Sequence, residues 1–310
     1  NNYIFFAAYY RDQLAGQLST WYVIDPNGNT YFEWYLAMSN PGMLKVAAAQ
    51  IGTDSDVVSN ADKIRFMIEK AYEKKCGIVL FHEGCLTGYP NEEQVDNLDF
   101  EVVGAYEKEM TAMAGKLNIA LLIGSTIKSK NDIYNDVMVV REDGRLLGRY
   151  AKTWRAGEPW YSAGTGPVIF TVGGVESTVM ICHDLRYPEL VRLPVAAGAQ
   201  IIFIANNEGG LHAENKLLGY RSMQISRATE SHVFGVMANA PADVENMNSS
   251  NRSHGNSKIV DPMGNVLDEA GSFEERLVTA DLDLSQAIRQ PALRTIGRDS
   301  TTAALYGTDI

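Results

Sequence analysis

Three reactive side chains stand where apolar segments of the sequence give way to polar loops. Glu83 follows IVLFH, Lys152 follows LLGRYA, and Cys182 follows STVMI. The ends of neighbouring strands converge at one edge of a sheet, so these side chains could meet in one pocket. A thiol, an ammonium and a carboxylate are together sufficient for acyl transfer. The thiol attacks, the ammonium stabilises an oxyanion, and the carboxylate moves protons.

The segment VMICHDLRYPELVR around Cys182 predicts a buried strand, a sharp turn and then a helix. The positive end of that helix and the ammonium of Lys152 are expected to lower the pKa of the thiol. Each residue also has an ordinary explanation, since a free cysteine is often an inert core residue. Glu83 could be a charge at a helix terminus and Lys152 a surface lysine. Spacing and composition alone do not choose between these interpretations.

The composition is typical of a globular protein, with 310 residues, 45% hydrophobic and 21% charged. The net charge of −11 and the lack of a Lys/Arg cluster argue against a nucleic-acid or anionic-membrane partner. No apolar run in the sequence is long enough to cross a bilayer. The sparse cysteines (Cys76, Cys85 and Cys182) do not suggest a disulfide framework. Because the N-terminus also lacks the basic start of a secretory signal, we expect a cytoplasmic protein.

Neither a metal nor a cofactor is expected. The histidines are scattered without metal-ligand spacing, and the cysteines contain no CxxC pair. No glycine-rich phosphate loop follows a predicted strand.

A break in composition near Met43 divides the chain. Residues 1–42 hold 11 of the 29 aromatic residues, and WYVIDPNGNTYFEWYLAM predicts a hairpin around PNGN. This leader could pack on the main body or on a neighbouring chain, or be an appended segment unrelated to the chemistry. We expect residues 43–285 to form the main domain. Residues 286–310 are expected to be an irregular tail that could fold over a partner subunit.

Strand and helix patterns alternate through the main domain. Helical apolar spacing is predicted over residues 61–75, 100–118, 187–198 and 215–231. The order βαβ, then a β-rich middle, then further βαβ indicates an α/β protein. It could contain one large mixed sheet, or two sheets with helices outside.

The segments that carry these residues resemble the nitrilase superfamily of carbon–nitrogen hydrolases. The resemblance covers roughly residues 43–285 and lies in KVAAAQI, HEGCLTGYP, YNDVMVVREDGRLLGRYAKTW, VMICHDLRYPEL and HGNSKIVDPMG. By motif, the family's catalytic glutamate, lysine and cysteine fall on Glu83, Lys152 and Cys182. A second family glutamate falls on Glu158 in RAGEPWYSAG, where it would position the substrate and the lysine. A solvated loop acid is the simpler alternative for Glu158.

The resemblance implies a four-layer αββα sandwich that pairs across subunits into a larger αββααββα dimer. It also implies cofactor-free and metal-free hydrolysis of a small amide through a thioester on Cys182, with Glu83 as base and then acid. Lys152 and a backbone N–H, that of His183, would hold the oxyanion. Asn206 and Asn207 end the predicted strand QIIFIA and could contact the substrate amide, or only form hydrogen bonds where the loop begins.

Departures from the family pattern bear on the substrate. True nitrilases carry Trp–Glu after the nucleophile, whereas this chain has His183 and then Asp184, which matches amidase-like members. Arg186 could serve a carbamoyl substrate or form a structural salt bridge. His82 replaces the usual proline before Glu83, where it could shift the pKa of the carboxylate or merely line a loop.

The leading hypothesis is a homodimeric or larger amidohydrolase that acts on a small amide or N-carbamoyl compound. A nitrilase is the alternative among enzymes. The alternative of another class is a non-catalytic binding or regulatory protein on the same fold, with the aromatic leader as its interaction surface.

Overall fold

The computed structural model describes residues 19–24, 30–35, 42–208, 214–243 and 253–295. Within the leader, β1 (Ser19–Ile24) and β2 (Thr30–Tyr35) pair antiparallel, as the PNGN pattern predicts. The rest of residues 1–41, together with His212 and residues 296–310, lies outside the described part of the chain.

The first six-stranded sheet is built from the first half of the main domain and its last strand. In spatial order its strands are β14 (Arg276–Asp283), β3 (Met43–Gln50), β4 (Ile78–Phe81), β5 (Ala120–Ser129), β6 (Asp132–Val140) and β7 (Leu146–Ala151). The pairs β3–β4 and β4–β5 are parallel, and the remaining pairs are antiparallel.

The second six-stranded sheet contains the strand that leads to Cys182. In spatial order its strands are β13 (Val266–Glu269), β12 (Lys258–Val260), β11 (Phe234–Ala238), β10 (Ile201–Ala205), β9 (Val175–Ile181) and β8 (Phe170–Val172). The three central strands run parallel, so their carboxyl ends meet at one edge.

The helices are α1 (Val57–Glu73), α2 (Glu92–Asp96), α3 (Phe100–Leu117), α4 (Glu189–Ala197), α5 (Glu214–Thr229) and α6 (Gln290–Thr295). The four predicted helices are thus present as α1, α3, α4 and α5. Helix α1 begins before its predicted start because Asp56 caps it, accepting a hydrogen bond from the N–H of Val58 at 2.9 Å. Short 3-10 helices span Cys182–Arg186 and Leu284–Gln286.

The two sheets pack face to face with helices on both outer sides, so the predicted αββα sandwich is confirmed. The apolar run of β3 shows how a strand in this sandwich is buried on both faces. Val46 and Ala48 face the cluster between the sheets, whereas Ala47 and Ala49 face the cluster shared with α1 and α3. Successive strand residues point to opposite faces, so a strand buried on both sides has an uninterrupted apolar sequence.

The tail departs from its prediction. Residues 290–295 form helix α6, which packs against α4, so the expectation of irregular structure is wrong for this segment. Pro291 lies in the first turn of α6, where its missing N–H removes no intrahelical hydrogen bond. The signal was therefore present in the sequence, although the helix is short.

Candidate active site

Glu83 lies two residues beyond the end of β4 and is fully buried. Its Oε1 accepts hydrogen bonds from Asn135 Nδ2 at 2.7 Å and from Lys152 Nζ at 2.8 Å. Its Oε2 accepts one from the backbone N–H of Asn207 at 2.9 Å. Asn135 belongs to the first sheet and Asn207 follows a strand of the second, so both sheets hold this carboxylate in place.

The loop that carries Glu83 passes directly against β5. A Cβ atom at Gly124 would collide with the carbonyl oxygen of His82 and the nitrogen of Gly84. Because residue 124 is glycine, the backbone of the loop that carries Glu83 can pass close to β5, and this places Glu83 at the edge of the sheet.

Lys152 follows β7, and only 2% of its surface is exposed. Its Nζ lies 2.8 Å from Glu83 Oε1 and 2.7 Å from Glu158 Oε1. Burial opposes the charge of the ammonium, but the carboxylate of Glu83 and the other anionic neighbours outweigh it and raise the pKa of Lys152. The lysine is therefore held as a cation inside the protein.

Glu158 is buried rather than solvated. Its Oε1 accepts hydrogen bonds from Lys152 and from the hydroxyl of Tyr89, and its Oε2 accepts one from the N–H of Ala156. Burial would raise the pKa of Glu158, but Lys152 and these donors lower it, so the carboxylate stays ionised. The two carboxylates and the ammonium form one buried, negatively charged group.

Cys182 begins the 3-10 helix after β9 with φ = 44°, in the left-handed region that non-glycine residues rarely adopt. Such strain persists where the surrounding structure over-determines it, which is common at functional sites. The Sγ atom lies 4.0 Å from Glu208 Oε2. The sharp turn predicted from the sequence is therefore present, and it places a buried thiol at the end of the strand.

The predicted lowering of the thiol pKa is wrong. Burial raises the pKa of Cys182 well above its ordinary value, and the carboxylates of Glu83 and Glu208 add to the effect. Lys152 is the opposing charge, and it does not balance the loss of water and the carboxylates of Glu83, Glu208 and Glu158. The resting residue is therefore a neutral thiol, and attack requires a base that removes its proton.

Asp184 connects the turn that contains Cys182 to the loop that follows Lys152. Its Oδ1 accepts a hydrogen bond from the N–H of Trp154 at 2.7 Å, and its Oδ2 accepts one from the hydroxyl of Tyr150 at 2.7 Å. Its Oδ2 also accepts from the N–H groups of Ile181 at 3.3 Å and Thr153 at 3.4 Å. Burial raises the pKa of Asp184 to about 6, against these hydrogen bonds.

The three residues that the sequence suggests as substrate contacts, His183, Asn206 and Asn207, differ from one another in burial and in hydrogen bonding. His183 is half-buried, and its ring meets that of Tyr187 edge-on. Asn206 is fully buried and directs its Nδ2 to the sulfur of Met237 at 3.4 Å. Asn207 enters the site through its backbone N–H, which binds Glu83.

The structure also shows the contacts of Arg186 and His82, two residues whose roles the sequence left open. Arg186 donates to the hydroxyl of Tyr220 at 3.1 and 3.3 Å and lies over its ring. The ring nitrogens of His82 lie 2.9 Å from the carbonyl oxygen of Glu83 and 3.0 Å from that of Ile51. Burial lowers the pKa of His82 to about 4, so near neutral pH the ring is uncharged.

Three site residues escaped the sequence analysis: Tyr89, Asn135 and Glu208. Glu208 directly follows Asn206 and Asn207, so its place at a strand end was a usable signal. Tyr89 stands in the motif HEGCLTGYP, which drew attention only for its glutamate. Asn135 lies inside β6, and no feature of the neighbouring sequence marks it as a site residue. Its hydrogen bond with Glu83 forms only once the strands of the sheet have paired.

A cavity of about 560 Å³ flanks the site. Its lining includes Tyr89 and Asn207, which donate to Glu158 and Glu83. Within the described ranges, no group of three or more His, Cys, Asp or Glu side chains could hold a metal ion. The helices in that part of the chain are too short or too polar to span a membrane.

The chain that forms this site belongs to a known family of enzymes. Residues 45–292 match the family model for carbon-nitrogen hydrolases, and the chain belongs to that family, as the motifs suggested. It is an enzyme that hydrolyses carbon–nitrogen bonds other than peptide bonds.

Two curated relatives are amidases. The chain is 32% identical over 233 residues to the 2-oxoglutaramate amidase of Bacillus subtilis, covering 74% of this chain and 86% of that protein. It is 29% identical over 270 residues to an omega-amidase of Saccharomyces cerevisiae, covering 77% of this chain and 87% of that protein.

Solved structures share the fold. An amidase from Nesterenkonia sp. AN1 aligns with a TM-score of 0.72 at 24% identity, covering 85% of this chain and 98% of that chain. A variant of that amidase holds the acetamide moiety of fluoroacetamide covalently on its active-site cysteine. It aligns with a TM-score of 0.70 at 23% identity, covering 80% of this chain and 94% of that chain.

Proposed function

We propose that this enzyme hydrolyses a small amide or N-carbamoyl compound through a thioester on Cys182. The observation that carries the proposal is the buried contact of Lys152 with two carboxylates, at 2.8 Å from Glu83 and 2.7 Å from Glu158, beside a thiol at a strained turn. A cation held in this way inside a protein is suited to stabilise charge that develops on a substrate oxygen.

In the first step, Cys182 Sγ bonds to the carbonyl carbon while its proton passes to Glu83. The two events are coupled because the resting thiol is neutral. The electron pair of the carbonyl π bond moves to the oxygen, which Lys152 and the backbone N–H of His183 stabilise. Glu158 acts on the reaction by holding Lys152 in position.

In the second step, Glu83 donates its proton to the leaving nitrogen, the carbon–nitrogen bond breaks, and ammonia or an amine departs. A thioester on Cys182 remains. Glu83 then removes a proton from water as the water oxygen attacks the thioester carbon. The carbon–sulfur bond breaks, the acid is released, and the sulfur recovers a proton.

The substrate class is supported by relatives and by polar groups near the sulfur. The names of the relatives, 2-oxoglutaramate amidase and omega-amidase, favour a small amide. Asn206 Oδ1 is buried and lacks a hydrogen-bond partner among the described residues, which supports its proposed role as an acceptor for a substrate amide. The proposed contact from Asn207 is supported by its place in the lining of the flanking cavity.

Trapping the thioester tests the proposal. The purified protein is mixed with 2-oxoglutaramate, simple aliphatic amides, N-carbamoyl amino acids and small nitriles, and quenched in acid. We expect mass spectrometry to find the acyl group on Cys182, and we expect turnover to disappear in Cys182→Ala. Cys85→Ala, which alters another buried thiol, is the matched control. Wild-type turnover in Cys182→Ala would refute the proposal, and an adduct only with nitriles would reassign the substrate class.

We also propose that the enzyme is cytoplasmic and forms a homodimer or a larger homo-oligomer. The cytoplasmic location is supported by three free, buried cysteines. Self-association is supported by the exposed apolar side chains of Leu193 and Ile288, next to the packed helices α4 and α6. Light scattering after gel filtration should give at least twice the mass of the chain, and a monomer at micromolar concentration would contradict the assembly.

A further inference from the structure

The site contains a carboxylate that the proposed mechanism does not use. Glu208 is 2% exposed, and its Oε2 lies 4.0 Å from Cys182 Sγ. Its backbone N–H donates to Asn239 Oδ1 at 3.0 Å, and that oxygen also accepts from Ser253 Oγ at 2.7 Å. Asn239 Nδ2 donates in turn to the carbonyl oxygen of Gly255 at 2.8 Å. This network fixes the backbone of Glu208 beside the nucleophile.

Glu208 belongs to a second polar group near the sulfur, separate from the group around Lys152. Burial and the charge of Glu208 raise the pKa of Tyr220 to about 12. The hydroxyl of Tyr220 accepts hydrogen bonds from Arg186 at 3.1 and 3.3 Å. Since Glu83 and Lys152 are assigned to the leaving nitrogen and the oxyanion, this second group is left to face the acyl portion of a substrate.

The flanking cavity favours positive charge as well. Among the described residues that line it are Asp54, Asp243 and Glu275, with Lys63 paired to Glu275 at 3.1 Å. A cleft lined mainly by charge of one sign raises the local concentration of the opposite sign. A cationic substrate would therefore be concentrated in this cavity, whose lining includes Asn207, the residue before Glu208.

We propose that Glu208 selects amides that carry a cationic nitrogen on the carbon next to the reacting carbonyl, such as the amides of amino acids. This inference rests on the proposed function. When Sγ bonds to the carbonyl carbon, substituents on the adjacent carbon come within reach of a carboxylate 4.0 Å from the sulfur. An ammonium there forms a charge-assisted hydrogen bond of about 2.7–2.9 Å. A carboxylate there would face a buried like charge and be rejected.

A series of amides of nearly equal shape tests the selection. Alaninamide, isobutyramide and methylmalonamate place an ammonium, a methyl group and a carboxylate on the same carbon. We expect kcat/KM of the wild-type enzyme to decrease in that order. Preference for the neutral or the anionic amide would overturn the proposal.

The variant Glu208→Gln removes the charge with little change in shape. We expect the ratio of kcat/KM for alaninamide over isobutyramide to fall by at least about tenfold, as for the loss of a hydrogen bond to a charged group. Glu208→Asp should retain part of the preference. Glu189→Gln removes one exposed charge from α4 and should leave the ratio as in the wild type. An equal fall for both amides in Glu208→Gln would overturn the proposal, because it would mean that Glu208 acts on the thiol rather than on the substrate.

A second measurement is independent of amide hydrolysis. The 2-ammonioethyl, ethyl and 2-sulfonatoethyl methanethiosulfonates all react with a thiolate, which bonds to the divalent sulfur while methanesulfinate leaves with the electron pair of the broken S–S bond. The thiol proton passes to the buffer. Rates at Cys182, followed by mass spectrometry and divided by the rates for free 2-mercaptoethanol, should decrease from the cationic to the anionic reagent. The differences should shrink in Glu208→Gln.

The two measurements separate the failures. If no amide is hydrolysed but the charge order holds at Cys182, the proposed function fails and the role of Glu208 in charge selection stands. If amides are hydrolysed but neither measurement depends on charge, the proposed function stands and the role of Glu208 is refuted.

Discussion

The backbone N–H of Trp154 donates a hydrogen bond to Asp184 Oδ1 at 2.7 Å, although 30 residues separate the two in the chain. Trp154 lies two residues after Lys152, and Asp184 lies two residues after Cys182. This contact therefore connects the loop that presents the ammonium to the turn that presents the thiol. The distance between the two reacting groups depends on a residue that belongs to neither of them.

The variant Asp184→Ala should separate these groups. It removes the acceptor of the Trp154 N–H and one of the two partners of the buried Tyr150 hydroxyl, the other being Thr153. Leaving a buried donor without an acceptor costs about 1–3 kcal/mol. We expect kcat/KM to fall at least about tenfold, since a small misplacement of reacting groups is costly. Amide turnover measured where circular dichroism shows a folded protein checks this.

Asp261→Ala is the control for Asp184→Ala. Asp261 also accepts from backbone N–H groups, those of Met263 at 2.8 Å and Asn265 at 2.9 Å, but in an exposed turn. Its loss should leave kcat/KM at the wild-type value. Full activity in Asp184→Ala would show that the link between the two loops is not needed.

Replacing Lys152 by methionine should remove both stability and activity. Without the ammonium, the carboxylates of Glu83 and Glu158 remain buried together, and breaking a buried pair costs about 3–5 kcal/mol. The oxyanion also loses a donor, so kcat should fall by at least about 10²-fold. Urea unfolding and steady-state kinetics measure the two effects separately.

The variant Lys258→Met distinguishes a specific loss of catalysis from the general effect of removing a buried lysine. Lys258 is also a fully buried lysine, with its Nζ 2.8 Å from Glu269, but it lies on β12 away from the thiol. This variant should be less stable than the wild type and retain its kcat. An equal loss of kcat in the two lysine variants would refute the role of Lys152.

The raised pKa of Cys182 predicts the pH dependence of its alkylation. The rate with iodoacetamide should continue to increase above pH ~9, the region where an ordinary thiol is already ionised. In Glu83→Gln one nearby negative charge is lost, the thiolate is stabilised, and the inflection should move to lower pH although turnover stops. Rates read at Cys182 by mass spectrometry test this, and an inflection below neutral pH in the wild type would contradict it.

His82 predicts a loss of stability on acidification. The unfolded chain binds a proton at His82 near its ordinary pKa of about 6.5, whereas the folded protein does so only near 4. Stability from this residue is thus complete above about pH 6.5 and is lost as pH falls from about 6.5 to about 4. The loss is on the order of 3 kcal/mol. The gap in unfolding free energy between the wild type and His82→Gln should therefore change over this range, and parallel profiles would contradict the assignment.

Local patterns in the sequence were sufficient for most secondary structure. The apolar run of β3 and the amphipathic spacing of α3 depend on near neighbours, so they can be read directly. The turn at Cys182 was also visible, because a polar segment with proline follows an apolar strand. Periodicity could not separate one sheet from two, and the αββα arrangement came from the resemblance to a family.

The sequence by itself determined which residues stand at strand ends and therefore which residue types were available for chemistry. Only the tertiary structure decided the charge state of Cys182 and the place of Glu208 beside it. The physical reason is that a pKa depends on burial and on charges within a few ångströms. For Cys182 these charges come from Glu83, from Glu208, and from Lys152 with Glu158, which three separate segments of the chain bring together.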